Sequence, residues 1–410
     1  MSDDDTTTTA APTRRTYLTQ GGALIGGGVL AGCTGDVGSE PTPTPNGIGT
    51  ETPSDTETAD AEDGSYTVTL APVGEVEFEA VPEDVFTVFP WYADMALALG
   101  HGDSINALWW ADEFDSILQY FLAGLDGVAG SWQGLAGEYG ATKEQLYELD
   151  SDVHLVDPAW VSTLENWSRG DIDEVAANVA PWFGNQYSNL RLTPPDGWAD
   201  GYEYYTLWEL FGKVARLYRE ETRYEALRDV HDDLLSTIRA SLPPVSERPT
   251  VAYVQLPTDL DVAYVLRLNA PGYYNAHTRP LGATDAFADV DGEFSQVDFE
   301  ALLDADPDVL LTLWGMTSTV DFQTLQANLE DHAVGRELSA VRTDRVYTQG
   351  TRFQGPIMNL FQLEMTAKQL YPEEFGEWPG YADGEPYPDF PDHERLFDRQ
   401  RVADVITGNR

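Results

Sequence analysis

EQLYELDSDVHLV, residues 144–156, and EALLDADPDVLLT, residues 300–312, carry one pattern twice. Each opens on Glu, places Leu two positions on, and brings Asp-Val at the eighth and ninth positions after it, entering an apolar run. A tryptophan follows soon after each run, Trp160 in the first and Trp314 in the second. A shared run of spacing of this kind marks a structural repeat, a helix leading into a strand on two occasions.

Outward from the repeat, strand-like runs alternate with helical patterns. Strands are expected at Tyr66–Leu70, Val85–Phe89, Ile105–Trp109, Val153–Val156, Val251–Leu256, Val309–Leu313 and Val346–Tyr347. Helices are expected at Trp91–Leu99, Thr142–Leu149, Glu300–Leu303 and Pro356–Leu370. This alternation predicts parallel α/β sheets. Between the two strand groups, ETRYEALRDVHDDLLSTIRASL repeats Leu227, Val230, Leu234, Ile238 and Leu242 at helical spacing and stops before Pro243-Pro244. The expected architecture is α/β: two parallel-sheet lobes, residues 66–218 and 244–375, joined by one long spine helix over residues 219–243, with a cleft between the lobes. The tail, 376–410, is acidic and proline-punctuated; Leu396, Val402, Val405 and Ile406 hint at a short terminal helix.

The N-terminal 33 residues read differently. Arg14-Arg15 precede a glycine-laden apolar run that ends in Leu30-Ala31-Gly32-Cys33, the order of an export signal. The run is too short and too glycine-rich for a bilayer-spanning helix, which needs about 20 apolar residues. The arginine pair resembles a twin-arginine signal and LAGC resembles a lipoprotein lipobox. That resemblance makes Cys33, the chain's one cysteine, the lipidated first residue of the mature protein, attached to membrane lipid; otherwise it is a small buried free thiol. Residues 34–65 hold almost no large apolar side chain and no Lys or Arg, so they read as an extended tether.

Composition narrows the partners. The formal net charge is −47 and there are three lysines, Lys143, Lys213 and Lys368. An acidic surface spread along the whole chain fits a protein of molar salt, where the Debye length is about 3 Å and self-repulsion is screened. Nucleic acid is disfavoured as a partner, because no Lys/Arg cluster is available to meet phosphates. A single cysteine leaves no intrachain disulfide, so stability rests on the core.

In open parallel sheets ligands bind beyond the carboxyl ends of the strands. Those positions are rich in aromatic residues here: Trp91-Tyr92, Trp109-Trp110, Trp132, Trp160, Trp314 and, in the loop NAPGYYNAHTR, Tyr273-Tyr274. Singly such rings serve as core plugs as readily as ligand contacts; recurring in both lobes they predict a ligand wall. Arg279 and Arg352, in second-lobe loops, are read either as contacts for negative oxygens of a ligand or as ion-pair partners.

Leader, tether, the first-lobe run GATKEQLYELDSDVHLV, the spine helix, LGATDAF, FSQVDFEALLDADPDVLLT and LSAVRTDRVYT together resemble the substrate-binding lipoproteins of ABC importers for iron complexes and cobalamin, in a haloarchaeal form. The likeness spans residues 82–375. It implies a class III solute-binding fold, no catalysis and no cofactor. It also implies an iron-chelate ligand, an ABC permease dimer with its ATPase as partner, and a place outside the cytoplasmic membrane. In that family a glutamate on each lobe docks onto permease arginines, and the matching positions are Glu144 and Glu300. Cobalamin, haem and molybdate stay open as ligands, and a tethered surface sensor or enzyme is the rival of another class. No HExxH, Walker-type loop or Gly-x-Ser-x-Gly occurs, and the histidines His101, His154, His231, His277, His332 and His393 lack ligand spacing. No metal site is expected.

Overall fold

The computed structural model describes residues 64–409. The export signal, Cys33 and the tether up to residue 63 lie outside the described residues. The described residues open with a hairpin of which the sequence pattern shows only the first strand: β1 (Tyr66–Leu70) pairs antiparallel with β2 (Gly74–Phe78), Tyr66 opposite Phe78. Alternating burial along β1 puts Tyr66, Val68 and Leu70 inward.

The first lobe is built on three short parallel strands in the order β4-β3-β5: β3 (Val85–Thr87), β4 (Ile105–Ala107) and β5 (Val153–Leu155). The helices α1 (Pro90–Ala98), α2 (Ala111–Leu122), α3 (Lys143–Leu149), α4 (Pro158–Val161) and α5 (Arg169–Asn178) connect and follow them. Helices α6 (Leu207–Tyr218) and α7 (Glu221–Ser241) come next, α7 being the expected spine, with Leu227, Val230, Leu234 and Ile238 buried.

In the second lobe the strands β6 (Thr250–Gln255), β7 (Ala263–Leu266), β8 (Thr284–Asp285), β9 (Ser295–Val297), β10 (Val309–Thr312) and β11 (Val346–Thr348) form one sheet. Its order is β11-β10-β6-β7-β9, with β8 also on β6. The pairs among β11, β10 and β6 are parallel, as expected, but β7 and β9 run antiparallel, so this sheet is mixed. One face holds Ala252, Val254, Leu302, Leu310, Leu325, Leu329 and Leu338 in a continuous apolar core, with α8 (Phe299–Ala305), α9 (Phe322–Asp331) and α10 (Ser339–Arg342) supplying its cover.

The sequence repeat has a structural cause. Helices α3 and α8 are both seven residues long, with Thr142 accepting from Gln145 N–H at 3.2 Å and Asp298 accepting from Ala301 N–H at 2.8 Å. Both end on an Asp in the left-handed region, Asp150 at φ 46° and Asp306 at φ 35°. Two residues later the next Asp of each run ties the incoming strand to its neighbour. Asp152 Oδ2 accepts from Glu83 and Asp84 N–H at 2.8 and 3.0 Å, and Asp308 Oδ2 accepts from Thr250 N–H at 2.8 Å.

Helix α11 (Pro356–Leu370) is buried at every position and packs on α1, α2, α6 and α7, so it ties the second sheet's exit to the first lobe. A helix apolar on one stripe alone could not be buried all round; its polar side chains are paired instead. Gln362 receives Thr351 N–H and donates to Thr351 O, both at 2.9 Å. Glu364, fully buried, accepts from Arg399 at 2.7 Å, Tyr387 Oη at 3.0 Å and Leu396 N–H at 2.6 Å. Those three partners belong to the C-terminal tail, which the sequence left without a role. After the short α12 (Pro372–Phe375) it packs Trp378, Tyr387 and Phe390 together and ends in α13 (Arg399–Thr407), which lies on the spine. Leu396 precedes that helix rather than sitting in it. Among the described residues no helix is long and apolar enough to cross a membrane.

Candidate ligand-binding site

Five of the parallel strands, β3, β4, β5, β10 and β11, end in turns that present rings. β3 runs into Phe89, the extended residue before α1, with Pro90 at the first helical position and Trp91-Tyr92 behind it. β4 runs into Trp109 and Trp110; Trp110 takes a left-handed φ of 53° just before α2, whose first turn brings Phe114 alongside. β5 runs into Asp157, whose carboxylate accepts from Ala159 N–H at 2.7 Å, and α4 then carries Trp160. In the second lobe β10 leads to Trp314 at φ 69°, β11 leads to Arg352-Phe353, and Tyr273-Tyr274 sit in a 3-10 turn after β7.

These turns bring most of the predicted rings together. Phe353 stands at the centre, its centroid 6.0 Å from Phe89, 5.8 Å from Trp91, 6.5 Å from Trp109, 5.8 Å from Phe114, 5.1 Å from Tyr274 and 5.5 Å from Trp314. Four of those rings come from the first lobe and two from the second. Trp91 also meets Tyr273 at 5.6 Å, and Trp110 meets Trp314 edge to face at 5.4 Å. Tyr139 links Trp109 at 5.0 Å to Trp160 at 5.3 Å. Phe89, Trp91, Tyr273, Tyr274 and Phe353 are buried inside the cluster, whereas Trp109, Trp110, Tyr139 and Trp314 keep partial exposure and form its rim. Beside the rim, Glu113 of α2 receives Ser318 N–H at 2.9 Å and its hydroxyl at 2.8 Å, a second bridge between the lobes.

Four predicted positions stand apart or act differently. Trp132 is fully buried and pairs with none of these rings among the described residues; its backbone N–H donates to Asp115 at 2.7 Å, so it packs within the first lobe. Tyr92 faces inward, its hydroxyl accepting Asn185 N–H at 2.8 Å. Arg352 is buried and already partnered: it donates to Glu293 at 2.8 Å and Asn275 at 2.8 Å, and lies 5.2 Å from the Tyr274 ring centre. It supports Tyr274 from behind rather than reaching into ligand space. Arg279 is exposed on its loop; partial burial, then the neighbouring Arg191 guanidinium, pull its pKa down. Conversely Phe89, Phe114, Tyr139 and Phe353 were missed by the sequence reading, although Phe353 directly follows Arg352 at a strand exit.

Two buried carboxyls lie against the ring set. Asp94, on the turn of α1 after Trp91, accepts from Ile357 N–H at 2.9 Å and Met358 N–H at 3.0 Å, capping α11; burial pushes its pKa up to about 7 against those donors. Asp157 additionally accepts from Gln186 N–H at 2.7 Å and Tyr202 Oη at 2.5 Å, and burial pushes it up to about 6. Among the described residues no group of three or more His, Cys, Asp or Glu is placed to hold a metal ion. The arrangement suits noncovalent grip on a broad, largely apolar ligand. Glu144 and Glu300, in the first turns of α3 and α8, are exposed.

Comparison with known proteins agrees with this architecture. The sequence family described as periplasmic binding protein matches residues 63–352. Among curated proteins no relative matches. A periplasmic binding protein from Veillonella parvula superposes with a TM-score of 0.53 at 16% identity, covering 78% of this chain and 94% of its own. A periplasmic solute binding protein from the same organism gives 0.53 at 17%, covering 77% and 88%. One from Mycobacterium smegmatis gives 0.52 at 15%, covering 75% and 98%. At such identities these structures speak for the fold, and the family match, which spans most of the sequence, speaks for descent: the chain belongs to the periplasmic binding protein family.

Proposed function

We propose that this protein is the solute-binding subunit of an ABC importer, and that it captures an iron(III)-siderophore-type chelate between its lobes and delivers it to the permease. The observation that carries this reading is the convergence of rings from both lobes on Phe353, with Trp109, Trp110, Tyr139 and Trp314 at the rim. Aromatic planes give a bulky organic chelate wide contact at little entropic cost, and suit it better than a small oxyanion, which needs several fixed N–H or guanidinium donors. Cobalamin and haem present comparable faces and fit the same wall.

In this reading Glu144 and Glu300 dock on the permease dimer, the chain leaves the cell by the twin-arginine route, and Cys33 carries the lipid that holds it at the outer face of the membrane. Binding involves no catalysis. Tryptophan-fluorescence titration in molar KCl against ferric siderophores, cobalamin, haemin and molybdate tests the ligand assignment. Saturable quenching by ferric siderophores is expected, and quenching by molybdate alone would refute it.

A further inference from the structure

The charges buried against the ring set without an ion-pair partner are carboxylates. Asp94 and Asp157 are fully buried and are held by N–H and O–H donors, with no cation among their partners. Helix N-termini offset a buried carboxylate by only a fraction of a charge. At the rim Glu113 is held by Ser318, another uncharged partner. Among the described residues Arg352 is the one cation over a ring of the cluster, and Glu293 neutralises it. Arg191 and Arg279 are exposed, and neither lies over a ring of the cluster among the described residues. The ring faces themselves carry negative quadrupole potential and so favour cations.

Resting on the solute-binding reading above, we propose that the site selects chelates of neutral or positive net charge and rejects polyanionic ones, with Asp94 and Asp157 as the residues that set the sign. The ligand class is then a ferric hydroxamate-type complex rather than a catecholate- or carboxylate-rich one. In molar salt the long-range field of the −47 chain is screened, while charges inside the dry ring set are not, so the preference is local to the site. A polyanion placed against two uncompensated carboxylates meets a penalty that a cationic or neutral complex escapes, on the order of tenfold or more in affinity.

The test compares a monocationic ferric tris-hydroxamate with a trianionic ferric tris-catecholate, titrated into the full chain by tryptophan quenching in molar KCl at pH 8, above the raised pKa of both carboxyls. The hydroxamate complex is expected to bind at least about tenfold tighter, and Asp157→Asn or Asp94→Asn to shrink that ratio severalfold. The wild-type ratio stands as a readout even if a variant fails to fold. Equal or tighter binding of the catecholate overturns the inference while leaving the solute-binding reading intact, and loss of that binding in Arg279→Gln would assign the selectivity to the arginines instead. Failure of both complexes to quench removes the iron-chelate reading and this inference with it.

Discussion

Trp110 and Trp314 meet across the two lobes with ring centroids 5.4 Å apart and planes at 76°. Next to them, Glu113 accepts both hydrogens that Ser318 offers. One apolar contact and one polar clasp therefore hold the same stretch of rim shut. Ser318 is exposed and Glu113 half-buried, so the clasp contributes little to global stability yet sets local opening.

Replacing Glu113 with Ala is expected to lower global stability by no more than about 1 kcal/mol. Amide hydrogen exchange over residues 314–319 should accelerate severalfold at the same time. Unchanged exchange at Ser318 would show that the clasp does not hold the rim.

Arg352 and Glu293 are side chains at 3% and 6% exposure joined at 2.8 Å. Arg352→Met alone leaves Glu293 buried and uncompensated, a loss of about 3–5 kcal/mol, whereas Arg352→Met with Glu293→Met should recover most of it. Denaturant midpoints in molar KCl measure both. Because Arg352 stands behind Tyr274, the double variant should keep ligand affinity within about threefold, a difference of under 1 kcal/mol; a much larger loss would place the guanidinium in direct contact with ligand.

Docking and capture separate by mutation. Glu144→Arg with Glu300→Arg is expected to leave the dissociation constant of the ligand unchanged and to abolish uptake in cells carrying the permease. Uptake at the wild-type rate would remove these glutamates from the docking surface.

His154 sits between Phe86 and Trp182, fully buried, with neither ring nitrogen hydrogen-bonded, and burial depresses its pKa from 6.5 to about 4. Its contribution to stability is present above pH 6.5 and is lost as pH falls through about 4, up to about 3 kcal/mol. Asp157 works the other way, its contribution fading as pH rises from 3.8 through about 6. Because both ring nitrogens are buried without partners, His154→Phe should raise stability at pH 7 and, with no proton to take up, flatten the loss between pH 6.5 and 4, read from melting temperatures across that range. A variant whose acid profile matches the wild type would assign the titration to another group.

Much of the frame was legible in the sequence because it repeats. The Glu-x-Leu to Asp-Val spacing records a capped seven-residue helix, a left-handed Asp and an Asp that ties the next strand, so the same chemistry dictates the same letters at Asp152 and Asp308. The spine was legible from its helical period. The antiparallel strands β7 and β9 were not, because Ser295-Gln296-Val297 holds a single apolar residue and Ala263–Leu266 stands outside the helix–strand alternation. At the site, tryptophans at strand exits announced the wall, but Phe89, Phe114 and Phe353 look like any core phenylalanine until the turns bring them together. Arg352 was open to a ligand role because its partner Glu293 lies 59 residues away in the chain, a pairing that no local pattern reveals.

The dissociation constant of a ferric tris-hydroxamate, measured by calorimetry in molar KCl for wild type, Trp109→Leu, Trp314→Leu and the double variant, tests the shared wall most directly. Each single change, one in either lobe, is expected to weaken binding about tenfold, as loss of an aromatic anchor costs roughly 1–3 kcal/mol, with the melting temperature of the ligand-free protein little changed. Wild-type affinity in the double variant would mean that the rings of the two lobes do not close on the ligand.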